Sequence, residues 1–382
     1  MIVEKQIAEP GSECCPVRVE WLRELSDIAR LEQAWRTLET QVVNRMIFST
    51  FDFIKIWYQH HIGVYGTPLL GVAWRGNQLV GLAPLFVRLS SVGKIPLRTV
   101  VFAGYDSEAG EFLLRDGDTE LAGIFIASLA EIEPFDLMRL GNMAEGSNVL
   151  SSVQYSAKSC GFSIHLEDYA YAIVDLKNGY EGYLEAMGRN FRRNFKRMSE
   201  RAMAGGGGVV CGARFGALST NVEVAVERLL AIEAQSWKAR ERGEPLAEHH
   251  RRFISEVARR FCERDMVDLP ILVVGGEDAA FLMALVERSV YYDFTISYSE
   301  RFRDFSPGIF LMILLLQELP ARGIHTIVSH GPHAYKKRWA TRFQLVKTAY
   351  VFGRGPRARL ARFNRFIIRP WIGKAPRREW EE

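Results

Sequence analysis

The sequence of 382 residues lacks long apolar runs: its longest, residues 309–316, is under half of the roughly 20 residues a membrane-crossing helix needs, so no transmembrane helix is expected. It also lacks a secretory leader. Met1-Ile-Val-Glu-Lys-Gln-Ile-Ala-Glu-Pro10 has neither a basic nor an apolar region, and a cytoplasmic location is expected. Cysteine is scarce and unpatterned: Cys14, Cys15, Cys160, Cys211 and Cys262 form no Cys-x-x-Cys pair and have no His-rich partner segment. That argues against a disulfide framework and against structural zinc, so reduced thiols and no metal are expected. Charge of one sign is in short supply as well, since 49 basic against 45 acidic residues leave +4, too little to imply a nucleic-acid binder.

What is present is an ordinary globular balance, 48% apolar and 25% charged, on a chain longer than one core usually serves, which predicts two domains. In the first half, Ser26 precedes a helical stripe of Ile28, Leu31, Trp35 and Leu38. β-rich runs 69–74 and 79–86 flank the turn residues Arg75-Gly-Asn-Gln78 and predict a hairpin. A strand at 98–102, a helix at 120–132 and a strand at 135–140 follow.

The second half repeats that order. A helix at 180–202 is broken by the glycines of 205–208, and a strand at 209–214 precedes helices at 224–238 and 249–264. Runs 269–274 and 279–286 flank Gly275-Gly-Glu-Asp278 as a second hairpin, with a third strand at 289–297. An all-apolar helix at 307–319 and a strand at 325–329 complete the series. Helix, hairpin, strand, helix, strand, read twice, predicts an α/β fold with mostly antiparallel mixed sheets flanked by helices. The expected division is a lead at 1–19, a first domain at 20–168, a second at 169–352 and a basic amphipathic tail at 353–382.

Four segments of the second half, Arg189-Asn-Phe-Arg-Arg-Asn-Phe-Lys-Arg197, Glu233-Ala-Gln-Ser-Trp-Lys238, Phe305-Ser-Pro-Gly308 and Tyr335-Lys-Lys-Arg-Trp339, stand in an order and spacing that resembles the CelD-type acetyltransferases. Those are GNAT-fold proteins, distantly similar to the Fem-type aminoacyl transferases. The resemblance spans about residues 20–350 and is firmer after 175. It implies tandem GNAT-like domains, with acyl-CoA or acetyl-CoA as co-substrate and an amine as acceptor. The chain departs from the family's Asp-Phe-Gly-like segment, having Ser329-His330-Gly331 instead, which leaves the position of the base open.

The resemblance places Ser306, Pro307 and Gly308 at the CoA pyrophosphate, where a helix start presents free N–H groups and a positive dipole end. Arg303 and Arg301 stand beside them, and Lys336 joins the cofactor residues. The gap between strands 289–297 and 325–329 would take pantetheine as an extra strand, with a backbone N–H near 293–295 facing the oxyanion. Tyr335 is implied as the acid for the leaving thiolate. The base is left among His330, His333 and Asp293, with Glu300 behind them; an imidazole titrating near 6.5 suits the task.

Two basic segments allow two readings each. Arg189, Arg192, Arg193, Lys196 and Arg197 surround Phe191 and Phe195, either as a solvated helix face or as the seat of an anionic headgroup. The tail mixes Leu360, Phe363, Phe366, Ile367, Trp371 and Ile372 with arginines, suiting either an anionic membrane interface or packing on a domain. The function expected is N-acyl transfer from acyl-CoA to an amine. A lipid (sphingoid-type) amine at the inner membrane surface, as in GNAT-like bacterial ceramide synthases, is one acceptor; an amino sugar in polysaccharide assembly is another. A tRNA-dependent Fem-type transferase and a catalytically silent scaffold are the readings from other classes.

Overall fold

The computed structural model of the chain describes residues 2–3, 16–104, 110–204, 208–216, 221–330, 336, 339–368 and 371. It divides into two compact units, one made of Met1–Ala170 with Leu345–Glu382 and the other of Tyr171–Gln344.

The second unit holds the predicted repeat of elements around one mixed sheet. Strand Val209–Ala213 lies antiparallel to Val267–Val274, which lies antiparallel to Glu277–Glu287, which lies antiparallel to Val290–Tyr298. The hairpin between the second and third of these turns on Gly275 and Gly276, both with positive φ (60° and 83°), the backbone that a two-residue loop matching strand twist demands. Strand Thr326–Ser329 then runs parallel to Val290–Asp293, and its other edge is closed by Ala172–Asp175, antiparallel, from the end of strand Ser163–Asp175.

The parallel step needs a crossover, which the helix Pro307–Glu318 supplies. Leu311, Leu315 and Leu316 of that helix are buried against Leu272, Ala280 and Leu282 of the sheet, which is why its sequence is apolar on every side.

Two expected helices divide. The run at 180–202 is Gly179–Ala186 and Arg189–Ala204, interrupted where Met187 turns extended (ψ 142°) before Gly188. The helix expected at 224–238 is Val222–Ala234, followed by the separate turn Trp237–Arg242 that Ser236 caps by accepting from the Ala239 N–H (3.2 Å).

A buried ionic cluster fixes the outer strands of this unit. The Asp268 carboxylate, fully buried, accepts from Arg214 Nε (2.8 Å), the Tyr291 hydroxyl (2.9 Å) and the Phe215 N–H (3.2 Å), with Arg322 at 3.4 Å. Glu318 takes a second bond from each arginine at 3.0 Å, and Arg322 lies over the Phe215 ring at 4.0 Å.

The first unit has the same pairing order. Strands Val17–Leu22, Gly66–Arg75, Gln78–Val92 and Ile95–Phe102 are successive antiparallel neighbours. Leu137–Met143 pairs parallel to the last after the helix Leu121–Ile132, and residues 347–352 of strand Arg342–Phe352 close its far edge, antiparallel. Each sheet is thus finished by a strand that the chain supplies from beyond the unit's own contiguous stretch or at its margin.

Three boundaries differ from expectation. The sheet of the first unit reaches into the expected lead: Val17, Val19 and Trp21 alternate into the core, and Ile2–Val3 pairs with Val19 and Glu20. The second unit ends at Gln344 rather than 352, since residues 345–352 belong with the first and 347–352 complete its sheet. The tail is part of the first unit: helix Pro356–Phe363 buries Ala358 and Ala361 against Val92, Leu97, Leu137, Tyr350 and Phe352, and the π-helical turn Asn364–Ile368 adds Phe366. Small alanines allow that close seat. Ile372 and Lys374 lie outside the described residues, as do Cys14 and Cys15.

Candidate active site

In the second unit the parallel pairing lasts four residues, from Val290 opposite Thr326 to Asp293 opposite Ser329, and stops. Beyond that fork the strand runs on as Phe294–Tyr298, bonded on one side to Glu277–Glu287. Pairing slips at the same point: Met283 faces Thr295 and Ala284 faces Asp293, so Phe294 is an extra residue. Such a bulge turns backbone groups out of the ladder. Among the described residues the other edge of Phe294–Tyr298 carries no strand, and apart from the Ile296 carbonyl, which a lysine side chain caps, it is available to an extended ligand.

The candidate residues that fall at this fork are Asp293 and His330. Asp293 is buried and accepts the Ser329 hydroxyl through Oδ2 (2.5 Å). His330 follows Ser329 directly, packed edge-on to Tyr171 (centroids 4.5 Å) and stacked on Tyr292 (6.4 Å). Burial, with the Lys336 charge adding to it, pushes its imidazole down from 6.5 to about 3. The ring is therefore neutral at pH 7 and a weak proton acceptor. Lys336 is buried too, and its ammonium donates to the His330 carbonyl. His333 and Tyr335 lie outside the described residues.

Sequence reasoning passed over one residue. Lys238, half-buried, donates to the Ile296 carbonyl (2.8 Å), three residues past the fork. Burial lowers its pKa, opposed by Glu233 and Asp293. The segment leading to it is fastened to the end of the same strand: Ser236 and Ser299 form an antiparallel bridge, and the Glu300 N–H donates to the Gln235 carbonyl (3.0 Å). Ser236 at a helix start, followed by Trp-Lys, was the readable signal.

The Pro307 helix begins beside this strand. Ser306 sits before it with φ 49° and ψ 52°, left-handed backbone that a non-glycine residue adopts at a cost of about 1 kcal/mol. Its carbonyl accepts from both the Ile309 and Phe310 N–H groups (3.0 and 3.1 Å), and Pro307 has no donor. Gly308 is left as the first-turn donor open to a ligand, narrower than the full set of amides expected here. A side chain at Gly308 would meet Tyr298 and Ile296 at 3.8 and 3.9 Å, ordinary contact.

Arg301 and Arg303 are exposed and engaged: Arg301 pairs with Glu277, while Arg303 (4.0 Å) and Arg240 (2.8 Å) both face Glu300. Glu300 is thus an ion-pair partner. The basic helix Arg189–Ala204 packs Phe195 inward, 5.2 Å from Phe191, and keeps Arg189, Arg193, Lys196 and Arg197 exposed. No group of three His, Cys, Asp or Glu that could hold a metal occurs among the described residues, and no described helix is long and apolar enough to cross a membrane.

The buried His330 makes a pH-dependent contribution. Below pH 6.5 the unfolded chain binds a proton that the folded ring refuses until about pH 3. Stability from this group is complete above 6.5 and falls as pH drops, by up to about 1.4 kcal/mol per pH unit. Urea titrations at pH 7 and 5 are expected to show that loss in the parent protein and less of it in His330→Asn. Equal losses in both would remove His330 as the cause.

Residues 189–337 match the sequence model of a family described as "Acetyltransferase (GNAT) domain", a stretch that includes the fork, the Pro307 helix and Lys238. The second unit, a mixed α/β fold, is thus similar over that stretch to GNAT-type domains. The fold of the chain is similar to that of FemX (TM-score 0.59, 10% identity, 89% of this chain and 99% of that one). It is similar also to the C-terminal domain of a protein described as a putative lysylphosphatidylglycerol synthetase from Agrobacterium fabrum (TM-score 0.52, 11% identity, 87% and 94%). A Bacteroides thetaiotaomicron protein of unknown function aligns comparably (TM-score 0.52, 12% identity, 88% and 100%). No curated protein matches the chain in sequence.

Proposed function

We propose that the second unit transfers an acyl group from an activated donor to an amine, with the donor lying along the open edge of Phe294–Tyr298. The observation that carries this is the bulged strand, unpaired with any described strand on one edge from the fork onward and leading to the Gly308 helix start. An acyl-CoA or acetyl-CoA thioester fits that arrangement: pantetheine adds as a strand, and its pyrophosphate meets the Gly308 N–H with Arg303 nearby. The amine nitrogen attacks the thioester carbonyl, a C–N bond forms and the C–S bond breaks. Asp293, rather than the neutral His330, takes the proton leaving the nitrogen. Tyr335, by its resemblance to the family's tyrosine, gives a proton to the departing thiolate. Lys336 supports the wall of the fork through the His330 carbonyl. The first unit is read as a second GNAT-like copy, and a lipid amine is the acceptor favoured by the basic, aromatic tail.

A second reading, an aminoacyl-tRNA donor, is favoured by the exposed basic face of helix Arg189–Ala204 and by the fold likeness to FemX.

Incubation with short- and long-chain acyl-CoA and a panel of amines, including a sphingoid base and an amino sugar, is expected to release free thiol only when amine is present. Gly308→Asp should abolish that release by repelling the pyrophosphate, yet stay folded, because a Cβ at this position meets only ordinary contacts. Transfer from charged tRNA without thiol release would establish the second reading. Neither activity would leave a silent scaffold.

A further inference from the structure

We infer that the outward face of the C-terminal helix is a docking surface for an anionic lipid bilayer. The segment from Pro356 to Ile368 has two faces. Its inner face seats Ala358 and Ala361 in the first unit, and two arginines fasten it: Arg354 donates to the Cys160 carbonyl (2.7 Å), and Arg365 donates to both Glu167 oxygens (2.9 and 3.0 Å) while lying over the Tyr350 ring (4.3 Å). Its position is thus fixed.

The outer face presents large apolar side chains to water: Leu360 (55% exposed), Phe363 (52%), Ile367 (56%) and, a turn further on, Trp371 (86%). At 100° per residue Leu360 and Phe363 lie about 60° apart on the α-helix, with Arg357 and Arg359 about 80° to either side of their middle, and Ile367 follows on the π-helical turn. Both arginines are exposed, as is Arg362, and none of the three has a carboxylate partner among the described residues. Lys94 is exposed in the turn after Val92, where Gly93 approaches the Asn364 side chain.

The occupant follows from the charge. No acidic residue occurs between 354 and 378, so a protein partner would need a strongly acidic apolar groove, whereas an anionic bilayer offers phosphates and hydrocarbon at the right depth. Phe363, Ile367 and Trp371 enter the headgroup boundary while Arg357, Arg359 and Lys94 remain at the phosphates. Half of the segment is used for packing on the protein and half is left for the membrane, so the two readings of the tail are compatible. This inference deepens the lipid-amine reading of the acceptor but is measured without donor or acceptor, and either can fail alone.

Co-sedimentation of the full chain with phosphatidylcholine vesicles, with and without 30% phosphatidylglycerol, tests it. Deleting the tail would uncover the core beneath Ala358 and Ala361, so surface substitutions are the cleaner variants. Binding to the anionic vesicles is expected at low salt and should weaken sharply at high salt. Arg357→Ala with Arg359→Ala should lower the partition coefficient on the order of 30-fold, at about 5-fold per charge. Leu360→Glu with Ile367→Glu should abolish it, with unfolding curves unchanged. Binding that ignores both pairs of substitutions, or no binding to anionic vesicles, overturns the inference. So does a dimer in vesicle-free solution that Leu360→Glu with Ile367→Glu dissolves, which would assign the face to a second copy.

Discussion

Replacing Asp293 by asparagine is expected to lower kcat by about 10²- to 10⁴-fold, the usual range for a lost acid–base group, with KM nearly unchanged. Asparagine keeps the volume and can still accept the Ser329 hydroxyl through its amide oxygen, so the buried contact survives and the proton-accepting charge does not. The variant also discriminates between candidates. With His330 held neutral at about 3, an enzyme that used it as base would titrate far below neutrality. A pH–rate profile whose acidic limb disappears in Asp293→Asn assigns the proton to that carboxylate. Turnover preserved in a folded Asp293→Asn removes it from the mechanism and turns attention to His333 or to unassisted deprotonation of the amine.

Asp268→Ala is expected to destabilise the second unit by about 3–5 kcal/mol, the magnitude seen when one member of a buried ionic group is removed and its partners stay buried. Arg214 would be left inside, and so would the Tyr291 hydroxyl, which points to Asp268 from the strand that carries Asp293. Burial raises the Tyr291 pKa well above its ordinary value of 10, with Asp268 adding to it, so the hydroxyl stays a donor in need of an acceptor. Equilibrium urea unfolding of Asp268→Ala against the parent measures the cost. Asp268→Asn should recover part of it, because an amide oxygen can still take the tyrosine bond. A loss below about 1 kcal/mol in Asp268→Ala would mean that Glu318 alone satisfies both arginines.

Much of this fold was legible because it rests on local rules. Gly275-Gly276 can bend only into a tight hairpin, and alternating or continuous apolar runs on either side fix two strands. The all-apolar helix after Ser306 has to be buried, and a parallel strand has to follow it. What was not legible depended on partners far away in sequence. Nothing near Leu345 says that residues 347–352 close the sheet that holds Val17, because a strand buried on both faces reads the same in either sheet. Lys238 was hidden for a related reason. Its importance lies in the carbonyl of Ile296, 58 residues on, and a lysine ending a helix ordinarily reads as solvated. His330 was read correctly as sitting next to the strand end, but its low pKa comes from burial among aromatic neighbours, Tyr171 and Tyr292, that no spacing reveals.

The late arrival of residues 347–352 has a consequence during synthesis. Strand Leu137–Met143 emerges with one edge bare, and its partner is translated about 200 residues later, after the whole second unit. At about 5–20 residues per second the ribosome takes on the order of 10–40 s to deliver it. For that interval the N-terminal sheet stands unfinished, with an open ladder able to pair with a neighbouring nascent chain. A premature stop after residue 344 would make the wait permanent: a lesion far downstream of residue 170 would be felt as aggregation of the N-terminal half.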